Sequence, residues 1–164
     1  MVNSIVFCDI DGTIVPTCFK PNREMDNIEL ENIRRRIELL TLSKEIISLL
    51  HMIIKNTKLV FLTGRPKEWE DATYNLLKPI NKKKYNIYFL NIEGKWSMEK
   101  YYKFKLDIIH KISEKYDIIY VIDDIIDLLK YIKKYFNLEN KFLFLINGVY
   151  DSMIRNMVIK SRLM

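Results

Sequence analysis

Two aspartates separated by one residue follow an apolar run near the start of the chain. Ile5-Val6-Phe7 is long enough for a buried strand and too short for a helix, and Asp9-Ile10-Asp11-Gly12-Thr13 comes just after it. Two carboxylates this close repel each other unless a cation or a shared proton lies between them. Mg²⁺ suits this role because it binds oxygen ligands and takes few of them from protein. The alternative is an ordinary strand and Asp-Gly turn, in which Thr13 is only a turn residue.

Polar residues also end two later apolar runs. Lys58–Leu62 stops at Thr63-Gly64-Arg65, and Asp117–Ile122 stops at Asp123-Asp124. The carboxyl ends of parallel strands meet at one edge of a sheet, so these groups would lie beside the first two aspartates. That edge would hold up to four carboxylates, one hydroxyl and backbone N–H groups that glycine leaves accessible to a ligand.

A lysine can reach this edge from a helix predicted to begin at about Tyr101. This start places Lys103 and Lys105 in the first turn of the helix, ahead of the fourth strand. The apolar face of the helix resumes at Ile108 and Ile109, which favours Lys105 as the inward lysine. Either lysine could instead be a solvated surface residue.

The groups gathered at this edge suit phosphoryl transfer. A transferring phosphoryl group spreads negative charge over its oxygens, so its catalysis is mainly positioning and electrostatics. One carboxylate can act as the nucleophile, and a second one two residues along can carry a proton. Mg²⁺ offsets the repulsion between the nucleophile and an anionic substrate, while the hydroxyl and the ammonium hold phosphoryl oxygens.

Strands and helices alternate five times along the chain, which predicts an α/β protein with a single domain over residues 1–164. The strands are continuous apolar runs, typical of strands buried on both faces. We therefore predict a three-layer, doubly wound parallel sheet of the Rossmann-like type, with residues 14–42 as a small helical cap or a solvated helix. The predicted strands are 4–9, 58–62, 86–91, 117–122 and 142–146, and the predicted helices are about 25–42, 43–55, 66–78, 101–116, 125–136 and 151–163.

The composition favours a soluble protein with an anionic partner. Lys+Arg 27 against Asp+Glu 21 gives a net charge of +6, which suits phosphorylated metabolites, nucleotides or nucleic acid. A codon bias toward Lys, Ile, Asn and Tyr would explain the same charge. Two cysteines, Cys8 and Cys18, form no disulfide framework, and neither a signal peptide nor a membrane-spanning run is visible. We therefore expect a cytoplasmic protein without a membrane partner.

The order of these motifs resembles the haloacid dehalogenase (HAD) superfamily of phosphohydrolases. The four motifs of that family appear here in order: Asp9-Ile10-Asp11-Gly12-Thr13, Thr63-Gly64-Arg65, a lysine on the helix before strand four, and Asp123-Asp124. The resemblance implies that Asp9 is the nucleophile and that Asp11 is the general acid/base. An aspartate at position 11 argues for phosphatase chemistry, because the dehalogenase branch lacks that acid.

The resemblance also implies a Mg²⁺ site and a phosphate-binding site. Asp124 would be the direct acidic metal ligand, with Asp123 beside it, and the metal would also bind Asp9 and the backbone carbonyl of Asp11. The phosphoryl group would be bound by Thr63, by Lys105 and by backbone N–H groups near Ile10 and Gly64.

Several residues near these motifs have an alternative role. Asp123 could simply cap the following helix, where Asp127 is better explained as a first-turn residue favoured by the helix dipole than as a ligand. Arg65 and Thr13 are possible substrate contacts: Arg65 could bind a second phosphate or a ribose oxygen of the substrate, or lie on the surface. His51 and His110 fall on predicted helices away from the strand ends and are expected to be structural or exposed.

The short gaps after the first and third strands indicate an open or thinly covered site. In this family, open sites tend to accept large substrates, and the build looks most like the phosphatase half of polynucleotide kinase-phosphatases. That resemblance implies nucleic-acid 3′-phosphate ends as substrate, with nucleotides or sugar phosphates as the alternative. Trp69 and Trp96 could stack on bases, although core or rim positions are favoured. A receiver-like phosphoacceptor is disfavoured because its acidic pair closes the first strand, and intact Asp9 and Asp11 argue against an inactive binding module.

Overall fold

A computed structural model describes residues 3–16, 27–90, 97–136 and 142–147 of the 164. Its five strands form one parallel sheet in the order β3-β2-β1-β4-β5. The strands are β1 Ser4–Cys8, β2 Lys58–Pro66, β3 Tyr85–Leu90, β4 Ile118–Asp123 and β5 Phe142–Asn147. The strand order reverses at β1, which lies between β2 and β4. The carboxyl ends of these three strands therefore border the crevice in which doubly wound sheets bind ligands.

Helices cover both faces of the sheet, which confirms the predicted three-layer α/β architecture. Side chains of α2 (Lys44–Asn56) and α3 (Glu70–Leu76) pack on one face, and those of α4 (Met98–Ser113) and α5 (Ile126–Tyr135) pack on the other. In β1, Val6 and Cys8 point to the first face while Ile5 and Phe7 point to the second, so the strand is apolar throughout. The helices are α1 Asn27–Glu38, α2 Lys44–Asn56, α3 Glu70–Leu76, α4 Met98–Ser113 and α5 Ile126–Tyr135, with 3₁₀ turns at Lys67–Trp69 and Lys82–Lys84.

Two elements near the sheet edge differ from their predicted bounds. The strand β2 continues past the predicted end at Leu62 to Pro66, with an irregular pairing to β3 between Thr63 and Pro66. The helix α4 begins at Met98 rather than at about residue 101, because the Ser97 side chain caps it by accepting the Lys100 N–H at 3.2 Å. Both differences change where polar side chains meet at the site.

The predicted helix over 25–42 is shorter in the structure and packs on α3. The helix α1 ends at Glu38, and its Ile37 side chain forms a small buried cluster with Trp69 and Ala72. Trp69 is therefore a core residue. The predicted final helix at 151–163, the first ten residues after Pro16 in the cap segment, and Trp96 lie outside the described residues.

The two histidines have structural partners, as predicted. The His51 ring nitrogen lies 3.2 Å from the Pro79 carbonyl oxygen, and the His110 ring nitrogen lies 3.4 Å from that of Tyr135. Among the helices of the described ranges, we find none with an apolar stretch long enough to cross a bilayer.

Candidate active site

The chain turns sharply where β1 ends. The strand stops at Cys8, and the Asp9 N–H then donates to the Ile122 carbonyl at 2.9 Å, which ties Asp9 to β4. Gly12 takes a φ of 81°, a left-handed conformation that glycine adopts without strain. Asp11 therefore lies in the turn and not on a continuing strand. Asp9 and Asp11 are both buried, so their charges depend on protein or metal partners rather than on water.

Lys105 joins the carboxylates of the first and fourth strands. Its Nζ atom donates to Asp9 Oδ1 at 2.8 Å and to Asp123 Oδ2 at 2.6 Å, and the side chain is 2% exposed. The early start of α4 puts Lys105 two turns inside the helix, so its predicted place in the first turn is wrong. Lys103 is exposed. The structure thus brings Lys105, and not Lys103, to the aspartates.

The protonation of this cluster reflects competition between burial and opposite charge. Burial alone would lower the pKa of Lys105, but Asp123 and Asp9 outweigh it and hold the pKa well above its usual value of 10.5. Burial raises the pKa of the Asp9 carboxyl, Lys105 opposes this, and Asp123 and Asp11 add to the increase. Lys105 therefore stays an ammonium, whereas burial makes the negative charge of Asp9 costly in free energy, a cost that a metal cation would reduce.

Arg65 forms a bidentate ion pair with Asp11. Its Nε and Nη2 atoms donate to the two oxygens of Asp11, each at 2.8 Å. The Arg65 side chain is fully buried, so the surface position considered from the sequence is wrong. The third donor, Nη1, bonds to the Thr73 hydroxyl at 3.2 Å. Extension of β2 to Pro66 carries Arg65 into the protein at this point.

Three carboxylates come together in a way that fits a metal ion. Oxygen atoms of Asp9, Asp123 and Asp124 lie within 4.8 Å of one another. A Cβ atom on Gly12 would lie 2.5 Å from Asp124 Oδ2, so the close approach of this carboxylate requires glycine. An all-oxygen donor set of this kind suits Mg²⁺. The residues present therefore fit the metal that the sequence analysis expected.

Asp123 and Asp127 have clear roles in the local structure. Asp123 accepts the Ile125 N–H through Oδ1 at 2.9 Å and the lysine ammonium through Oδ2, so it orders the start of α5 and the site together. Asp127 is exposed and pairs with Lys130, which agrees with its interpretation as a first-turn residue.

The predicted phosphate-binding groups lie at the ends of β1 and β2. Thr63 is fully buried, and its Oγ1 accepts the Arg65 backbone N–H at 3.2 Å, which leaves its hydroxyl hydrogen available for another acceptor. Gly64 lies between Thr63 and Arg65 in the chain and is partly exposed. Ile10 is buried in the turn. The Thr13 hydroxyl is buried as well, without a hydrogen-bond partner among the described residues.

Two residues that contact the charged groups were not predicted from the sequence. Lys105 Nζ lies 4.7 Å from the centre of the Tyr101 ring, so this buried ring forms a wall beside the ammonium. The other is Thr73, which binds Arg65. Spacing could have indicated Tyr101, because residues four apart share a helix face. No sequence signal marks Thr73.

Sequence comparisons found no matching family model and no matching curated protein. Solved structures do match. A chain of the Pnkp1/Rnl/Hen1 complex has a TM-score of 0.60 and 18% identity, covering 90% of this chain and 47% of its own length. A chain in another structure of the complex, described as an RNA repair complex, has a TM-score of 0.56 and 16% identity. This match covers 88% of the present chain and 43% of the matched chain. This chain thus spans about half the length of those chains.

A HAD domain matches over almost its whole length. The HAD domain of the effector protein Lem4 from Legionella pneumophila has a TM-score of 0.56 and 14% identity, covering 96% of this chain and 95% of its own. At such identities the matches establish the fold and nothing finer. They confirm the predicted HAD-like, Rossmann-like fold, which matched chains of the Pnkp1/Rnl/Hen1 complexes share.

Proposed function

We propose that this protein is a Mg²⁺-dependent phosphatase that hydrolyses a phosphomonoester through an aspartyl-phosphate on Asp9. One observation carries the proposal: at the carboxyl ends of β1 and β4, buried Asp9 shares the Lys105 ammonium with Asp123. This arrangement suits a nucleophile that must approach an anionic phosphoryl group. The likeness to HAD domains supports the same chemistry.

Asp9 would attack the phosphorus atom with one carboxylate oxygen. Lys105 binds Oδ1 of Asp9, which fixes the carboxylate and leaves Oδ2 for the attack. The new O–P bond forms as the bond to the leaving oxygen breaks. Asp11 enters this step as the carboxylic acid, with its proton on an oxygen lone pair that Arg65 does not occupy, and it gives this proton to the leaving oxygen. Water then attacks the phosphorus of the aspartyl-phosphate while Asp11 takes a proton from it, and inorganic phosphate leaves.

The remaining groups would stabilise charge around the phosphoryl oxygens. Asp9, Asp124 and the Asp11 backbone carbonyl would hold Mg²⁺, with Asp123 beside them, and the ion supplies positive charge against the anionic substrate. The Thr63 hydroxyl, Lys105 and the backbone N–H groups near Ile10 and Gly64 would bind the transferred group.

We propose nucleic-acid 3′-phosphate ends as the substrate. The net charge of +6 favours a polyanion, and the fold is shared with chains of an RNA repair complex. An aryl phosphate assay with and without Mg²⁺ tests the activity, and a comparison of kcat/KM among 3′-phosphorylated oligonucleotides, mononucleotides and sugar phosphates tests the substrate. We expect turnover that a chelator removes, with oligonucleotides ranked first.

The matched control for this assay is Asp127→Asn, an exposed aspartate on the helix that follows the metal site. It should turn over as the unchanged protein does. Mg²⁺-independent turnover, or none on any phosphomonoester, would contradict the phosphatase. If oligonucleotides rank below sugar phosphates, the small-molecule alternative is correct.

Substitution of Gly12 by alanine should weaken Mg²⁺ binding. The added Cβ would lie 2.5 Å from Asp124 Oδ2, so this carboxylate must move. We expect the Mg²⁺ concentration for half-maximal activity to rise ~10-fold or more, as when groups supporting metal ligands are altered. Thermal unfolding in chelator measures the separate cost of the left-handed backbone, about 1–2 kcal/mol. An unchanged Mg²⁺ requirement would show that Asp124 does not bind the ion.

A further inference from the structure

The Arg65 nitrogen that does not bind Asp11 is bound by the Thr73 hydroxyl, which the proposed mechanism does not use. Its Nη1 atom donates to Thr73 Oγ1 at 3.2 Å, and that hydroxyl donates to the Trp69 carbonyl at 2.9 Å. Because the single hydroxyl hydrogen is used on Trp69, a lone pair of Oγ1 faces the guanidinium. A continuous series of hydrogen bonds therefore runs from the backbone of Trp69 to the carboxylate of Asp11.

The third contact of the guanidinium determines where Asp11 can lie. Two parallel hydrogen bonds keep Arg65 and Asp11 in one plane but leave the pair able to swing together. Thr73 lies on a different element, α3, and therefore fixes the guanidinium relative to the protein. Arg65 and Thr73 are both fully buried, so no water can replace the bond if it is lost. An unpaired buried donor is costly, which favours one arrangement of the pair.

The turn that carries the accepting carbonyl is anchored by apolar packing. Trp69 ends the 3₁₀ turn that leads into α3, and its side chain is 5% exposed. It packs with Ala72 and with Ile37 of α1, and Ile33 and Leu40 border the same cluster. The helix α1 belongs to the segment predicted as a small cap, so this segment contacts the series of hydrogen bonds at its outer end.

We propose that Thr73 is a positioning residue for Asp11, acting through Arg65, and that the packing of α1 on Trp69 fixes the turn from which Thr73 acts. The inference rests on the proposed function, in which Asp11 carries the proton. It gives α1 a part in proton transfer to the leaving group, beyond covering the site.

Leaving groups of different basicity test this role. A p-nitrophenolate departs with little help from a proton, whereas an alkoxide such as that of glycerol 2-phosphate requires one. We expect Thr73→Val, which keeps the shape and removes the hydroxyl, to lower kcat/KM for glycerol 2-phosphate ~10-fold or more and that for p-nitrophenyl phosphate about 2-fold. Thr73→Ser restores the hydroxyl and should recover both values. Equal losses on the two substrates, or failure of serine to recover them, would overturn the inference.

A variant in α1 tests whether packing on Trp69, at the end of the hydrogen-bond series away from Asp11, affects proton transfer. Ile37→Ala should reproduce the selective loss on glycerol 2-phosphate, whereas Arg35→Ala, an exposed change on the same helix, should alter neither substrate. A uniform loss in Ile37→Ala would remove α1 from the proposal. If the unchanged protein hydrolyses neither substrate, the proposed function itself is wrong; if it hydrolyses both and the losses are uniform, only this inference fails.

Discussion

Asp9→Asn is expected to lower phosphatase turnover by at least about 10⁴-fold, since the proposed nucleophile is lost. The amide has nearly the same shape as the carboxylate, and Lys105 keeps its bond to Asp123, so the fold should persist. Turnover of an aryl phosphate with saturating Mg²⁺ measures the loss. Circular dichroism and thermal unfolding check that the variant is folded.

The same substitution distinguishes a covalent role of Asp9 from a purely electrostatic one. Rapid acid quenching of the unchanged protein during turnover should leave a phosphoryl group on the peptide that contains Asp9, detectable by mass spectrometry. The Asn variant should show none. Asp127→Asn serves as the matched control and should retain both turnover and the trapped phosphoryl group. An Asp9→Asn protein with full turnover would eliminate Asp9 as the nucleophile.

Lys105→Met is expected to destabilise the fold by about 3–5 kcal/mol and to abolish turnover. Methionine fills similar space but leaves Asp9 and Asp123, both buried, without the ammonium that lies between them. Denaturant unfolding in the presence of a chelator measures the change. Lys103→Met, an exposed substitution on the same helix, should unfold like the unchanged protein. Equal stability of Lys105→Met and Lys103→Met would show that the Lys105 ammonium does not stabilise the fold.

The destabilisation of Lys105→Met should depend on pH. Burial raises the folded-state pKa of Asp9 even with the lysine present, and without it the increase is larger. The folded variant then binds more protons than the unfolded chain, so its stability rises as pH falls through that pKa. We expect a smaller loss near about pH 5 than near about pH 8 in metal-free buffer. The lysine itself does not titrate in this window, because its folded pKa lies above 10.5.

The sheet and most of the site could be predicted because they follow from local patterns. An apolar run that ends in Asp9 is visible in the chain, as are the later runs that end at Thr63 and Asp123. One rule of geometry, that parallel strands end at a common edge, then brings these residues together. The start of α2 has a local cause of the same kind, because Ser43 Oγ accepts the Ile46 N–H at 3.3 Å.

The parts that escaped prediction depend on contacts distant in sequence. The sequence leaves Arg65 open as a substrate contact or a surface residue next to Pro66, and only the tertiary structure shows that it pairs with Asp11, 54 residues away. Lys105 lies two turns inside α4 because the Ser97 cap starts this helix at Met98, three residues before the predicted start at about residue 101. Thr73 has no local pattern at all, since its role depends on the path of β2 beyond Leu62.

The ion pairs of the candidate site also bear on the order in which the central sheet assembles during folding. Lys105 meets Asp9 across 96 residues and Asp123 across 18, and the two aspartates belong to neighbouring strands. Such non-local pairings form slowly, because loop closure precedes the contacts that stabilise it. A chain with β1 paired only to β2 would leave Asp9 without Lys105, whereas Asp11 could already pair with Arg65 of β2. Lys105 can join Asp9 to Asp123 only once β4 docks, so formation of this ion-pair cluster reports completion of the central sheet.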